Sequence, residues 1–227
     1  MIALMLPVAV LAQEQVVTPT WVWWLMPITV LGALYFLVCL YSFCKFFNRQ
    51  VFRPCCGKKN FMREYGQPGT WALVTGGSDG IGLECCNQLA NDGFNIIMVS
   101  RNQAKIDTKL EELRARYPDR EFGSVAKDLG KLASVAEVAE LFDGEHAGKD
   151  IGVVILNAGI CPLGTIDLVD AKTLETIVGL NVAHVVYCAK YFVDRLKGRG
   201  QRSYMGIVSS LAAKASIPGL PCYSASK

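Results

Sequence analysis

Charge is scarce at the start of this chain: Glu14 is the only charged side chain before residue 45. From Trp21 to Cys44 there are 24 consecutive residues without one, which rules out an ordinary solvated surface for that stretch. The nine cysteines include no repeated C-x2-C pair, so a zinc-type site is not expected. Their odd number argues against a disulfide framework and for reduced thiols in a cytosolic setting. A formal net charge of +3 is small and local to one segment, which removes any case for nucleic-acid binding. No internal repeat is present, so solenoids and propellers are excluded.

What is there is apolar. Hydrophobic residues make up 52% of the chain and the mean hydropathy is +0.29, too high for a domain that is soluble throughout. Residues 21–44 therefore read as a single transmembrane helix, long enough for a hydrocarbon layer of ~30 Å. Trp21, Trp23 and Trp24 at one end, with Tyr41, Phe43, Phe46 and Phe47 at the other, have the placing of interfacial aromatic belts. Lys45, Arg49, Arg53, Lys58, Lys59 and Arg63 crowd the C-terminal flank, so the positive-inside rule puts everything after Cys44 in the cytosol.

Met1–Ala12, within an N-terminal apolar segment taken as residues 1–20, is too short to span and lacks a basic n-region; a cleaved signal peptide is open but not compelling. Residues 45–69 read as a basic juxtamembrane linker that touches anionic lipid. Cys55-Cys56 within it suits palmitoylation, although an unmodified pair is the simpler reading. A compact domain is expected over residues 70–227.

Within that domain, strand-length apolar runs alternate with helical patterns, the mark of βαβ units around a buried parallel sheet. The expected strands are Trp71–Thr75, Asn95–Ser100, Phe122–Lys127, Ile151–Leu156 and Tyr204–Ser209, and a long helix is expected over 170–196. The first strand breaks into Gly76, Gly77, Gly80 and Gly82 and then resumes with helical periodicity. Such a turn gathers bare backbone N–H groups and a helix N-terminus, which suits a dinucleotide pyrophosphate. The fold class is thus α/β, a doubly wound parallel sheet of Rossmann type preceded by a transmembrane helix.

The spacing Gly76-x3-Gly80-x-Gly82 departs from G-x-G-x-x-G and resembles the TGxxxGxG signature of the short-chain dehydrogenase/reductases. The likeness extends to Leu156-Asn157-Ala158-Gly159, close to that family's NNAG, to Asn181, and to Ser210 thirteen residues before Tyr223 in Y-x-x-x-K with Lys227. It implies that Thr75, Gly76, Ser78, Asp79, Gly80, Ile81 and Gly82 seat the cofactor, that Asp128 meets the adenine, and that Asn157, Ala158 and Gly159 leave room for the ribose and nicotinamide. Arg101 ends the second strand where an Asp or Glu would hold the ribose hydroxyl of NAD. A guanidinium there matches a 2′-phosphate, so NADP(H) is the expected cofactor.

The chemistry implied by the resemblance is hydride transfer to a ketone, with Tyr223 as proton donor, Ser210 orienting the carbonyl oxygen, and Asn181 linking Lys227 to water. An ammonium one helical turn from a phenol favours the phenolate and makes that proton usable.

Among family members, the anchor together with WALVTGGSDGIG, IIMVSRN and YSASK is similar to the membrane-bound very-long-chain 3-oxoacyl-CoA reductases and the related 17-beta-hydroxysteroid dehydrogenases of the endoplasmic reticulum. Ketosphinganine and retinol-type reductases are the alternatives. The implied substrate is a lipid ketone, acyl-CoA or steroid, and a homodimer is compatible with the family. Lys227 is the last residue, so the chain is expected to be C-terminally incomplete and poorly active as it stands. A membrane-tethered, non-catalytic binding protein is the competing expectation.

Overall fold

The computed structural model describes residues 20–52, 60–215 and 217–227. The expectations for Met1–Ala12 and for Cys55-Cys56 lie outside the described residues. The chain divides into two units, residues 1–58 and 59–227.

In the first unit, helix α1 (Thr20–Phe47) contains Pro27 and passes into a π-helical turn at Asn48–Phe52. Its described side chains are exposed, including Leu31, Phe36, Val38 and Phe43. Leu25–Phe52 forms 28 helical residues of mean hydropathy 1.9, long and apolar enough to cross a membrane. The helix is longer than the expected 21–44 at both ends.

The second unit begins with α2 (Phe61–Tyr65), capped by Asn60, whose Oδ1 accepts from Arg63 N. The composition of 45–69 reads as a tether, but its last part is packed structure. Phe61 and Tyr65 meet Tyr204 at ring centroid distances of 5.2 and 5.5 Å, an aromatic cluster that glycines and prolines on either side conceal in the sequence.

The order then runs β1 (Trp71–Thr75), α3 (Gly80–Asp92), β2 (Asn95–Ser100), α4 (Gln103–Arg116), β3 (Phe122–Ala126), a 3-10 turn Leu129–Lys131 and α5 (Val135–Phe142). It continues with β4 (Ile151–Leu156), α6 (Ala171–Val178), a π turn Gly179–Ala183, α7 (His184–Lys197), β5 (Tyr204–Ile207), a 3-10 turn Leu211–Ala213 and α8 (Pro221–Ser226).

All five strands are parallel in the order β3-β2-β1-β4-β5. β1 is therefore the centre, and the order reverses beside it, which opens a crevice at the strands' carboxyl ends. Both faces are covered. Trp71 and Leu73 of β1 point to the side of α5 and α7, where Val138, Phe142, Cys188 and Phe192 lie. Ala72 and Val74 point to the side of α3 and α4, against Cys86, Leu89, Ile106 and Leu110. Burial of each large aliphatic side chain contributes about 2 kcal/mol, which fixes strand register because a one-residue slip would reverse every one.

Three boundaries differ from the periodicity. β3 stops at Ala126 because Asp128 turns the chain, its Oδ1 accepting from Gly130 N at 3.2 Å. β5 stops at Ile207 because Ser210 caps the next 3-10 turn. The expected helix over 170–196 is α6 and α7 joined by the π turn, with Gly179 packed on the Gly130 carbonyl; a Cβ there would sit 2.2 Å from that oxygen.

Both histidines are buried, and burial pulls each imidazole below its ordinary value of 6.5. His146 also faces the Lys149 ammonium, 3.0 Å from its Nδ1. His184 pairs through Nδ1 with the Leu180 carbonyl, its Nε2 has no partner among the described residues, and the Lys227 charge lowers it further. Folding lowers both, whereas unfolding returns them to 6.5, so as pH falls through that value the unfolded chain binds more protons than the folded one. Stability is expected to fall as pH drops from about 6.5 to 5, ahead of the carboxylates. Asp150, held low chiefly by its hydrogen bonds from Arg199, joins only below its ordinary value of 3.8. Urea midpoints that stay flat from pH 7.5 to 5 would contradict the histidine assignment.

Candidate active site

One cleft of about 800 Å³ opens over the carboxyl ends of β1, β2 and β4, lined by the glycine turn, Arg101, Asp128, Asn157, Ser210, Tyr223 and Lys227 among others. The glycine turn makes its near wall. Gly76 has φ +67° and its N–H donates to Val99 O at 2.8 Å, so the chain leaves β1 bound to the end of β2. Asp79 caps α3, its Oδ1 accepting from Gly80 N at 2.8 Å. Gly82, in the first helical turn, presses on the strand exit: a Cβ there would lie 2.2 Å from Gly76 O and 2.6 Å from Asn157 Nδ2.

Three of the sequence-predicted residues do not line the cleft but stand behind it. Thr75 is buried, and its Oγ1 accepts from Asn157 N and Ala158 N at 2.9 and 3.1 Å, tying β1 to β4 rather than facing a ligand. Gly82 is buried for the packing reason just given. Asn181 is buried in the π turn, and its carboxamide is fully engaged. Oδ1 accepts from Ile160 N and Nδ2 donates to Ile160 O, both at 2.9 Å, while Nδ2 also donates to Ser226 Oγ at 2.9 Å. The side chain thus joins the β4 exit to α8 and makes no bond to Lys227. A helix-period reading alone cannot show which way this side chain turns.

The Tyr223 helix is tied at its C-terminal end to the segment after β5 and to the π turn. Ser209 Oγ donates to Lys227 O at 3.0 Å and Lys227 Nζ donates to Val208 O at 3.1 Å, Asn181 Nδ2 donates to Ser226 Oγ, and inside the helix Ser226 Oγ donates to Tyr223 O at 2.8 Å. The ammonium lies 5.9 Å from the Tyr223 ring centroid, and burial pulls Lys227 below its ordinary value. Gly159 leaves room for it, since a Cβ there would sit 3.0 Å from both Nζ and Asn181 Oδ1. Between the two serines the hydrogen bonds differ. Ser209 Oγ donates its hydrogen bond to the main-chain oxygen of Lys227, whereas Ser210 Oγ accepts from Ala212 N at 3.2 Å and leaves its O–H free to donate elsewhere.

The far wall carries side chains the sequence reading missed. Lys105, in the first turn of α4, reaches Asp79 Oδ2 at 2.5 Å, and Lys127 and Asn102 line the same end. A lysine four residues past Arg101 at a helix start was the available signal. The cleft accordingly offers a helix N-terminus, a cation set of Arg101, Lys105 and Lys127, and a glycine wall without Cβ atoms, which fits a phosphorylated dinucleotide.

Comparison with known proteins agrees with this arrangement. Residues 70–227 match the family model described as short chain dehydrogenase. A very-long-chain 3-oxoacyl-CoA reductase of Podospora anserina is 34% identical over 170 residues, covering 73% of this chain and 48% of its own length. A 17-beta-hydroxysteroid dehydrogenase type 3 of Rattus norvegicus is 28% identical over 200 residues, covering 86% of this chain and 62% of its own length. Among solved structures, the bulky-bulky ketone specific alcohol dehydrogenase from Comamonas testosteroni superposes with a TM-score of 0.63 at 26% identity, over 71% of this chain and 63% of that one. The chain spans about half the length of the first-named reductase. With the strand order, the glycine turn and Tyr223, Lys227 and Ser210 around one cleft, this chain belongs to the short-chain dehydrogenase family.

Proposed function

We propose that this protein is an NADP(H)-dependent ketone reductase, anchored in the endoplasmic reticulum membrane by its single N-terminal span, with the catalytic domain in the cytosol. Its substrate is a lipid ketone, a very-long-chain 3-oxoacyl-CoA or a ketosteroid, the classes named in the relatives that it resembles. The observation that carries the reading is the meeting of Ser210, Tyr223, Lys227 and the glycine turn on one cleft at the strand-order reversal.

NADPH, when bound, supplies the hydride that reduces the carbonyl carbon. The chain's own groups do the rest. Ser210 donates to the carbonyl oxygen, and Tyr223 gives it a proton as negative charge develops there. Lys227, fixed by Val208 O, holds its ammonium 5.9 Å from the Tyr223 ring centroid, on the same side of the cleft as the proton donor. Asn181 keeps the β4 exit and α8 in register, so donor and oxygen meet at a set distance. The exposed, apolar α1 confines the domain to the surface where lipid substrates partition.

The test is NADPH titration of the detergent-solubilised protein, followed by NADPH oxidation with a 3-oxoacyl-CoA series and with ketosteroids. Binding and oxidation with either class support the reading. Failure to bind NADPH overturns the cofactor assignment, and binding without turnover of either ketone class favours a non-catalytic binding protein.

A further inference from the structure

The cation end of the cleft holds an ion pair that the mechanism does not use. Asp79 joins the two walls between which the adenosine half of a dinucleotide would lie. Its Oδ1 accepts from Gly80 N at the start of α3, and its Oδ2 takes Lys105 Nζ at 2.5 Å from the first turn of α4. Asn102 fixes the position of that lysine, its Oδ1 accepting from Lys105 N at 3.1 Å, so the stem of Lys105 starts one turn beyond Arg101. Ser100, Arg101 and Asn102 line the same end.

The pair is open to solvent, with side-chain exposures of 44% for Lys105 and 78% for Asp79. An ion pair this exposed is weak and exchanges partners readily. The hydrogen bond from Lys105, then that from Gly80 N, holds the Asp79 carboxyl below the usual carboxylate range, so it stays anionic near neutrality. A single negative charge therefore neutralises one of the cations offered to a second, more highly charged anion.

We propose that the Asp79–Lys105 pair sets the margin by which this protein prefers a 2′-phosphorylated cofactor. Lys105 exchanges the Asp79 carboxylate for the 2′-phosphate, and Asp79 is the competitor that limits the gain. A phosphate with close to two charges outbids a carboxylate for the same ammonium, whereas a 2′-hydroxyl gives Lys105 no reason to leave. The proposal rests on the NADP(H) reading above and adds two specificity residues to it.

The experiment is a double-mutant cycle read by equilibrium titration of NADPH and NADH, following cofactor fluorescence, on the wild type, Lys105→Met, Asp79→Asn and the double variant. Methionine keeps the aliphatic stem, and asparagine keeps an N-cap acceptor for Gly80 N. Lys105→Met is expected to weaken NADPH about tenfold and to leave NADH within about twofold. Asp79→Asn is expected to tighten NADPH about threefold or more, and this gain disappears in the Lys105→Met background.

Wild-type preference for NADPH that Lys105→Met leaves unchanged overturns the role of the pair alone. So does weaker NADPH binding by Asp79→Asn, or a gain retained in full without Lys105, which would mean that Asp79 acts on the phosphate directly. Wild-type protein that binds neither cofactor, or prefers NADH, overturns the NADP(H) reading itself and the proposal with it.

Discussion

Tyr223→Phe is expected to lower the rate of hydride transfer from NADPH to a ketone by about 10²–10⁴-fold while changing NADPH affinity by less than about threefold. The substitution removes one oxygen and keeps the ring. α8 keeps its place because the bonds that tie it to the domain run from Lys227 to Val208 and Ser209 and from Ser226 to Asn181, not from the phenol. The loss then belongs to the proton that the developing alkoxide no longer receives. The check is a single-turnover measurement with NADPH already bound, beside a titration of the cofactor alone. Equal rates for the wild type and the variant would remove Tyr223 from the reaction. A large loss of NADPH affinity together with a lowered unfolding midpoint would assign the residue a structural role.

Gly82→Ala is expected to be the most damaging single change in the glycine turn, destabilising the domain by about 2–4 kcal/mol and weakening NADPH at least tenfold. The added carbon would stand 2.2 Å from Gly76 O and 2.8 Å from Gly76 C, backbone that cannot swing aside, and 2.6 Å from Asn157 Nδ2, which is itself bonded to Thr75 O and Gly76 O. Relief requires α3 to move off β1, which takes its N-terminal N–H groups away from the cleft. Gly80→Ala is the matched comparison. Gly80 has φ +49° and no atom within 4 Å of an added Cβ, so its cost is conformational only, about 1–2 kcal/mol. Thermal or urea unfolding of the two variants, each with an NADPH titration, separates a need for space from a need for a left-handed angle. Equal effects at the two positions would show that the close contact at Gly82 does not govern the turn.

Much of the architecture was legible because its signals are local. β1, β2 and β4 have the bounds their apolar runs imply, since strands buried on both faces admit little else. The errors fall where a distant partner decides. Ser210 and Asp128 end strands by capping the next turn, α2 is ordered by Tyr204 from the far end of the domain, and the break between α6 and α7 sits where Gly179 meets Gly130.

By itself the sequence determined a 24-residue uncharged span, a doubly wound sheet and the order in which the glycine turn, Arg101, Asn181, Ser210, Tyr223 and Lys227 occur. Periodicity and spacing carry those because each is a relation between neighbours along the chain. Only the tertiary structure decided that Thr75 and Asn181 stand behind the cleft as braces and that Lys105 meets Asp79 across it. The physical reason is that a hydrogen bond has few donors and acceptors to share, and which partner takes each one is settled by segments tens of residues apart.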